Sequence, residues 1–283
     1  MSGGHYNEYA CIVMRKQLSI KDDFVTRAPM RLILLLILLL NTLPAVALSI
    51  YTEEWPPITF SRHGVADGMA VEVVREIQSR IHDNSGIDVV PWVRGYRELE
   101  TTPNVMLFTV GRSDAREKIM TLVGPVAISQ TVLLCRKGEA AGLLASGTAL
   151  YSRPVGAYRG SIFADAAAAA GFVEVDLAPT PQVTAQKLLG GRYDLWVEGS
   201  FVVGAVLKDI RQPPDAVEVV KVLESLELYL AFSRGTSGKV IQRWYDALAA
   251  MKKDGSFRRI YNKWLPREVA PAEIREIGLT PAP

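Results

Sequence analysis

Apolar and polar positions alternate along residues 48–265 in short runs that read as buried strands and amphipathic helices. Leu48–Tyr51 is expected to be a first strand. An irregular loop from Thr52 to Pro57 follows, then a short extended piece at Ile58–Phe60 and a turn at Arg62–Gly68. Val71, Val74, Ile77 and Ile81 recur at helical spacing, which predicts a helix over 69–81, ended by the polar run Asp83–Gly86. Ile87–Val93 reads as a strand, Tyr96–Glu100 as a brief helix stopped ahead of Pro103, and Val105–Val110 as an unbroken apolar strand. Strands and helices in alternation predict a mostly parallel sheet covered by helices.

The pattern then repeats in new material. Val126–Arg136 is one long extended run and a candidate crossover; Gly142–Leu144 reads as loop or a short turn. Beyond it come a strand at Arg153–Tyr158, an alanine-rich helix at Ile162–Ala170 stopped by Gly171, and a strand at Phe172–Val175. A helix at Gln182–Leu189, a strand at Tyr193–Glu198, a short helix at Phe201–Lys208 and a strand at Val217–Val222 complete this second α/β unit. Glu227–Phe232 is extended again and reads as re-entry into the first unit. The amphipathic helix Val240–Lys252 and a last helix at Phe257–Trp264 follow. Residues 266–283 are polar and proline-bearing and are expected to be a loosely attached tail.

The start of the chain obeys a different pattern. After Met30 and Arg31 a leucine-rich run leads to Pro44, Ala45, Val46 and Ala47, the layout of a secretory signal cleaved after Ala47. Residues 1–29 have mixed charge and no apolar periodicity, so Met30 is the expected start and 1–29 an upstream over-annotation. An uncleaved membrane anchor is the alternative. The mature chain would then keep Cys135 alone, with no disulfide, and His63 and His82 without ligand spacing, so neither a metal nor another cofactor is expected. With 32 basic and 30 acidic residues the charge nearly balances, which offers nothing to nucleic acid.

Candidate chemistry concentrates at Asn104–Pro125. The buried strand breaks at Gly111 and presents Arg112, Ser113, Asp114 and Arg116 over about one turn. A strand that delivers arginines and a hydroxyl to its carboxyl end is how an open α/β sheet builds an anion site. Surface pairing with Asp114 and Glu117 is the plain alternative.

The order of these pieces resembles the type II periplasmic solute-binding fold, and within it family 3, the polar amino acid-binding proteins of ABC importers. The resemblance runs from about Leu48 to Leu265. It is carried by Trp55-Pro56-Pro57 followed by Gly68 and a helix, by R-S-D-A-R at 112–116 ahead of V-G-P, by V-G-A-Y-R-G-S at 155–161, and by G-G-R-Y-D-L at 190–195 with the closing G-S-F-R-R-I-Y-N-K-W-L at 255–265. It implies an α/β fold of two lobes, each a mixed, mostly parallel sheet flanked by helices, joined by two extended hinge crossovers. The first lobe would comprise 48–130 and 225–265, and the second 131–224. It also implies that Arg116 clamps a ligand carboxylate, that Ser113 and Ser161 supply hydroxyls at turns, and that Trp55 covers one ligand face. Tyr96 and Arg112, with Arg94, are further polar candidates. The family's ammonium-binding aspartate falls on Gly199 here. Glu198, one residue earlier, is the nearest acid, although strand alternation would turn it away. The ammonium end is therefore unassigned, and a carboxylate without an ammonium is an open alternative to an amino acid.

The function so implied is a non-enzymatic periplasmic receptor, monomeric, that captures a small polar solute by lobe closure and hands it to an ABC permease or a membrane sensor. Two alternatives are a sensing or interaction module without transport, and a periplasmic lyase similar to cyclohexadienyl dehydratase. The lyase would need an acid or base in the cleft, for which Glu54 and Glu198 are the candidates.

Overall fold

The computed structural model describes residues 48–280; the expected signal segment and over-annotated start lie outside them. In chain order the first lobe begins with β1 (Ser49–Thr52), the hairpin β2 (Phe60–Arg62) and β3 (Val65–Asp67), α1 (Met69–Ile81), β4 (Ile87–Val89), α2 (Trp92–Thr101), β5 (Val105–Gly111) and the single-turn α3 (Asp114–Glu117). The long β6 (Met120–Arg136) leaves it. The second lobe holds α4 (Ala140–Ala145), β7 (Val155–Tyr158), α5 (Ile162–Ala169), β8 (Val175–Ala178), α6 (Pro181–Leu189), β9 (Leu195–Gly199) and α7 (Val203–Asp209). The equally long β10 (Val217–Ser233) returns, and α8 (Gly238–Asp254), α9 (Ser256–Trp264) and β11 (Arg275–Gly278) finish the chain.

The main sheet runs β4-β1-β5-β10-β6-β9-β7-β8, with β11 beside β6. Its two flanks are parallel, β4-β1-β5 in the first lobe and β9-β7-β8 in the second. Between them β6 and β10 pair antiparallel, and their register shifts three times, at Val219/Lys221, Val222/Glu224 and Leu228/Leu230. Each shift is a bulge that bends the ribbon. The two expected crossovers are therefore one two-stranded hinge, each strand 17 residues long and shared by both lobes.

Local chemistry explains the elements. Every residue of β5 is buried, as a strand covered on both faces demands. In α1 Val71, Val74 and Ile77 face the core, and the helix ends where left-handed His82 donates its N–H to Gln78 and Ser79 carbonyls. Gly68 precedes it with φ 121, and a Cβ there would lie 2.5 Å from the Ile58 carbonyl oxygen, so the tight entry requires glycine.

Several expectations are corrected. The strand expected at Ile87–Val93 stops at Val89, and the helix begins at Trp92 rather than Tyr96. Pro91 sits at its N-cap, and Trp92, Gly95 and Leu99 bury one helical face. Gly142–Leu144 is helical, within α4. The strand expected at Phe172–Val175 begins at Val175. The tail is not loose: Arg275–Gly278 pairs with Gly124–Thr121 of β6. Thr121 donates its hydroxyl to the Leu279 carbonyl (2.8 Å), and Arg275 pairs with Glu227 on the hinge (2.5 Å).

Candidate functional site

The cleft between the lobes forms where strands of both flanks end, the place open α/β sheets reserve for ligands. The first lobe contributes Glu53 and Trp55 from the loop after β1, Trp92 and Tyr96 from α2, Thr109 from β5 and Arg116 from α3. The second contributes Tyr158 at the end of β7, Phe163 on α5, and Glu198 and Gly199 at the end of β9.

Arg116 is turned inward by its own helix. Extended Ser113 caps α3 by accepting the Arg116 N–H (3.4 Å). The side chain is 4% exposed and donates through Nη1 to the Gly111 carbonyl (2.8 Å). Its guanidinium carbon lies 5.1 Å from the Trp92 ring centroid and 5.2 Å from that of Tyr96, so both aromatic rings hold it by cation–π contact. Just upstream, Thr109 adopts φ 67, an outlier for a β-branched residue. It is the residue skipped where Tyr229 pairs Val110 and Leu230 pairs Phe108. Backbone strain of this kind is spent in re-aiming a strand end, here at the cleft that Thr109 helps to line.

Two acids face each other across the lobes. Glu53 is buried and accepts from the Tyr158 hydroxyl (3.4 Å). Burial pushes its carboxyl up to about 8, against the pull of Arg116 and the Tyr158 bond. Glu198 is fully buried. Its Oε1 accepts from the Gly199 N–H (2.8 Å) and from Trp55 Nε1 (3.5 Å), while Oε2 has no partner. Burial pushes it too up to about 8; the Gly199 and Trp55 bonds oppose this and the charge of Glu53 adds to it. The Tyr158 phenol is also raised well above its ordinary value, first by burial and then by Glu53.

Gly199 makes room for Trp55. A Cβ at 199 would sit 2.6 Å from Trp55 Cζ2 and 3.0 Å from Phe163 Cζ. The indole and Phe163 stack across the lobes with centroids 6.2 Å apart and planes at 23°. Trp92 Nε1 adds a further bond between lobes, to the Gly160 carbonyl (2.7 Å). With the lobes so joined, the residual cavity beside Arg116, Glu53 and Trp55 measures about 20 Å³, little more than one water requires.

Of the residues expected from sequence, Trp55, Arg116 and Glu198 meet here, with Tyr96 beneath the guanidinium. Alternation did not turn Glu198 away, because its carboxyl curls round the strand end onto its neighbour's N–H. Arg112 lies outside, 39% exposed, paired with Glu117 (2.5 Å) and Glu227 (3.7 Å). With Ser113 it borders a separate outer hollow of about 460 Å³. Ser161 spends its hydroxyl locally, donating to the Tyr158 carbonyl (2.6 Å) and accepting from the Ala164 N–H (3.2 Å) as the cap of α5. Arg94 and Glu54 are exposed. Asp194 anchors β9 instead, accepting from Arg136 (2.7 Å) and Arg153 (2.6 Å). Sequence reasoning missed Glu53, Trp92, Thr109, Tyr158 and Phe163. The rule that ligands sit beyond strand carboxyl ends would have found Glu53 and Tyr158, since they end or directly follow β1 and β7. Among the described residues no cluster of His, Cys, Asp and Glu suits a metal ion, and no helix is long and apolar enough to cross a membrane.

No curated protein matches the chain. Among solved structures it is similar to a histidine kinase sensor domain with similarity to periplasmic binding proteins, at TM-score 0.69 and 21% identity over 80% of this chain and 99% of that one. It is also similar to a periplasmic His/Glu/Gln/Arg/opine family-binding protein from Silicibacter pomeroyi in complex with lysine, at TM-score 0.67 and 17% identity over 80% of this chain and 100% of that one. A third is the ancestral amino acid-binding protein AncCDT-1, a precursor of cyclohexadienyl dehydratase, at TM-score 0.64 and 20% identity over 77% and 95%. At these identities the likeness establishes the two-lobed fold alone. Residues 48–267 match the family model for bacterial extracellular solute-binding proteins, family 3, and the chain belongs to that family.

Proposed function

We propose that the protein is a receptor that closes its lobes over a small zwitterionic solute, holding a carboxylate at Arg116 and cationic groups at Glu198 and Glu53. The observation that carries this reading is the pairing of a buried guanidinium on one lobe with a buried, unpartnered carboxyl oxygen, Glu198 Oε2, on the other. A guanidinium with five donors, one of them spent on Gly111, suits a carboxylate. An orphaned carboxyl oxygen suits an ammonium N–H, which ionises the acid and satisfies it at once. Glu198 therefore takes over the ammonium role that Gly199 lacks. Two acids against one arginine match a solute with one carboxylate and two cationic groups, in keeping with the lysine bound to one of the similar structures. The residual cavity is smaller than any amino acid, so the solute enters the opened cleft and Trp55 yields its place. A membrane permease or sensor on the outer side of the cytoplasmic membrane then reads the closed form, as population shift requires. We propose no catalytic step.

The test is thermal unfolding and calorimetry with L-lysine, L-arginine, L-glutamate, L-leucine, acetate and putrescine. A ligand at a hundred times its Kd stabilises by about 2.7 kcal/mol. The basic amino acids are expected to raise Tm most, and Arg116→Ala to abolish the effect, measured against its own unliganded Tm, which falls with the loss of a buried, bonded guanidinium. A panel without any response, or full affinity in Arg116→Ala, refutes the assignment. Turnover of a prephenate-like carboxylate would replace the receptor with a lyase.

A further inference from the structure

The cleft buries two carboxyl groups against one guanidinium, and the acids come from opposite lobes. Glu53 faces Arg116 from α3, Tyr158 from β7 and Glu198 from β9. Glu198 faces the Trp55 indole from the β1 loop, the Gly199 N–H of its own strand, and Glu53. Tyr96 from α2 stands against Arg116. Arg116 can balance one negative charge and lies beside Glu53; no cationic side chain bonds Glu198 among the described residues. Each acid also accepts its contact from the other lobe, Glu53 from Tyr158 and Glu198 from Trp55. Parting the lobes would break both contacts and admit water to both carboxyls.

We infer that closure of this cleft takes up protons, so that acid draws the lobes together and alkali parts them. The inference deepens the reading of this cleft as the binding site by assigning its regulation, and it holds whatever the solute is. Burying a carboxylate without a partner costs far more than protonating it. The sign follows from linkage. Both carboxyls lie near 8 in the closed cleft against an ordinary 4.5. Their contribution to closure is thus fully present below about 4.5 and is lost as pH rises through 8. Within that window one proton changes the closed-to-open ratio about tenfold per pH unit, and two protons about a hundredfold. A cationic solute would displace the same protons, so its capture would release them into solution.

The experiment is small-angle scattering of the full chain from pH 5 to 9 without added solute. Compact scattering is expected at the acid end, with reversible expansion toward pH 9. Glu53→Gln and Glu198→Gln should each make the transition shallower, and the double variant should stay compact throughout; Glu174→Gln, at an exposed acid, should behave as wild type. An expansion in the double variant like that of wild type, or no pH dependence in wild type, overturns the inference. Should the double variant fail to fold, infrared spectra of wild type decide. The stretching band of a protonated carboxyl should be present at pH 6.5 and vanish toward pH 9, and its absence at pH 6.5 also overturns the inference. A silent solute panel at every pH would sink the receptor reading and leave this transition standing.

Discussion

Replacing Gly199 by alanine tests whether Trp55 is the contact that seats one lobe on the other. The added Cβ would lie 2.6 Å from Trp55 Cζ2 and 3.0 Å from Phe163 Cζ, where ordinary contact begins near 3.4 Å. The indole must therefore retreat by about 0.8 Å, the difference between 3.4 and 2.6 Å. It has nowhere cheap to go, being 3% exposed, stacked on Phe163 and bonded to Glu198. Overpacking of this kind costs roughly 1–3 kcal/mol. Trp55 and Gly199 belong to different lobes, so the cost falls on the closed form and spares the open one. The closed-to-open ratio should then fall roughly 5- to 150-fold. Scattering at pH 6, where closure is favoured, is the assay: Gly199→Ala should expand while its far-UV circular dichroism matches wild type. Adding Trp55→Ala removes the colliding ring and should recover part of the compaction. Unchanged compactness in Gly199→Ala, or no recovery in the double variant, would show that the indole and the β9 end do not meet in solution.

Other perturbations separate the site from its scaffold. Arg116→Lys keeps the charge and loses both the fork and the stacking on Trp92 and Tyr96; solute affinity should drop by about 2 kcal/mol, or roughly 30-fold, in calorimetry. Asp194 is held below its ordinary 3.8 by its bonds to Arg136 and then Arg153, so its contribution is present above 3.8 and fades as pH falls through the lowered value. Asp194→Asn should lower Tm at pH 7 by the equivalent of roughly 1 kcal/mol and converge with wild type near pH 2, as a melting series would report. In Gly278→Ala the new Cβ would meet the Met120 carbonyl oxygen at 2.2 Å from a residue with φ 101, which should detach β11 and expose to hydrogen exchange those amides of Thr121–Gly124 that face β11, while those facing β10 stay paired. Arg275→Ala, losing a part-exposed ion pair with Glu227, should cost no more than about 1 kcal/mol and leave those amides protected.

How much of this was legible in the chain depends on whether a feature is local. The apolar run of β5 and the heptad-like spacing of α1 are written in neighbouring residues, and both elements stand where the pattern put them. The inward turn of Arg116 came from the family resemblance alone, and Ser113, expected as a ligand hydroxyl, turned out to be the cap that holds it. For Arg112 the surface-pairing alternative held, with Glu117 five residues on as its closest partner; only its second partner, Glu227, arrives from a strand more than a hundred residues away. Pairing likewise hid the tail: a polar, proline-bearing segment becomes a strand only because β6 offers it an edge. The acids show the limit most clearly. Glu53 read as one polar residue of a loop, and Glu198 as pointing to the wrong face. What makes both unusual is the opposite lobe, which removes water from Glu53 with Tyr158 and covers Glu198 with Trp55. Gly199, by contrast, was visible as a missing carboxylate, but its meaning was not. The absence opens a slot for an indole, and the indole delivers a hydrogen bond to the acid next door. A residue that sequence reads as a lost contact is thus the one that lets the two lobes touch.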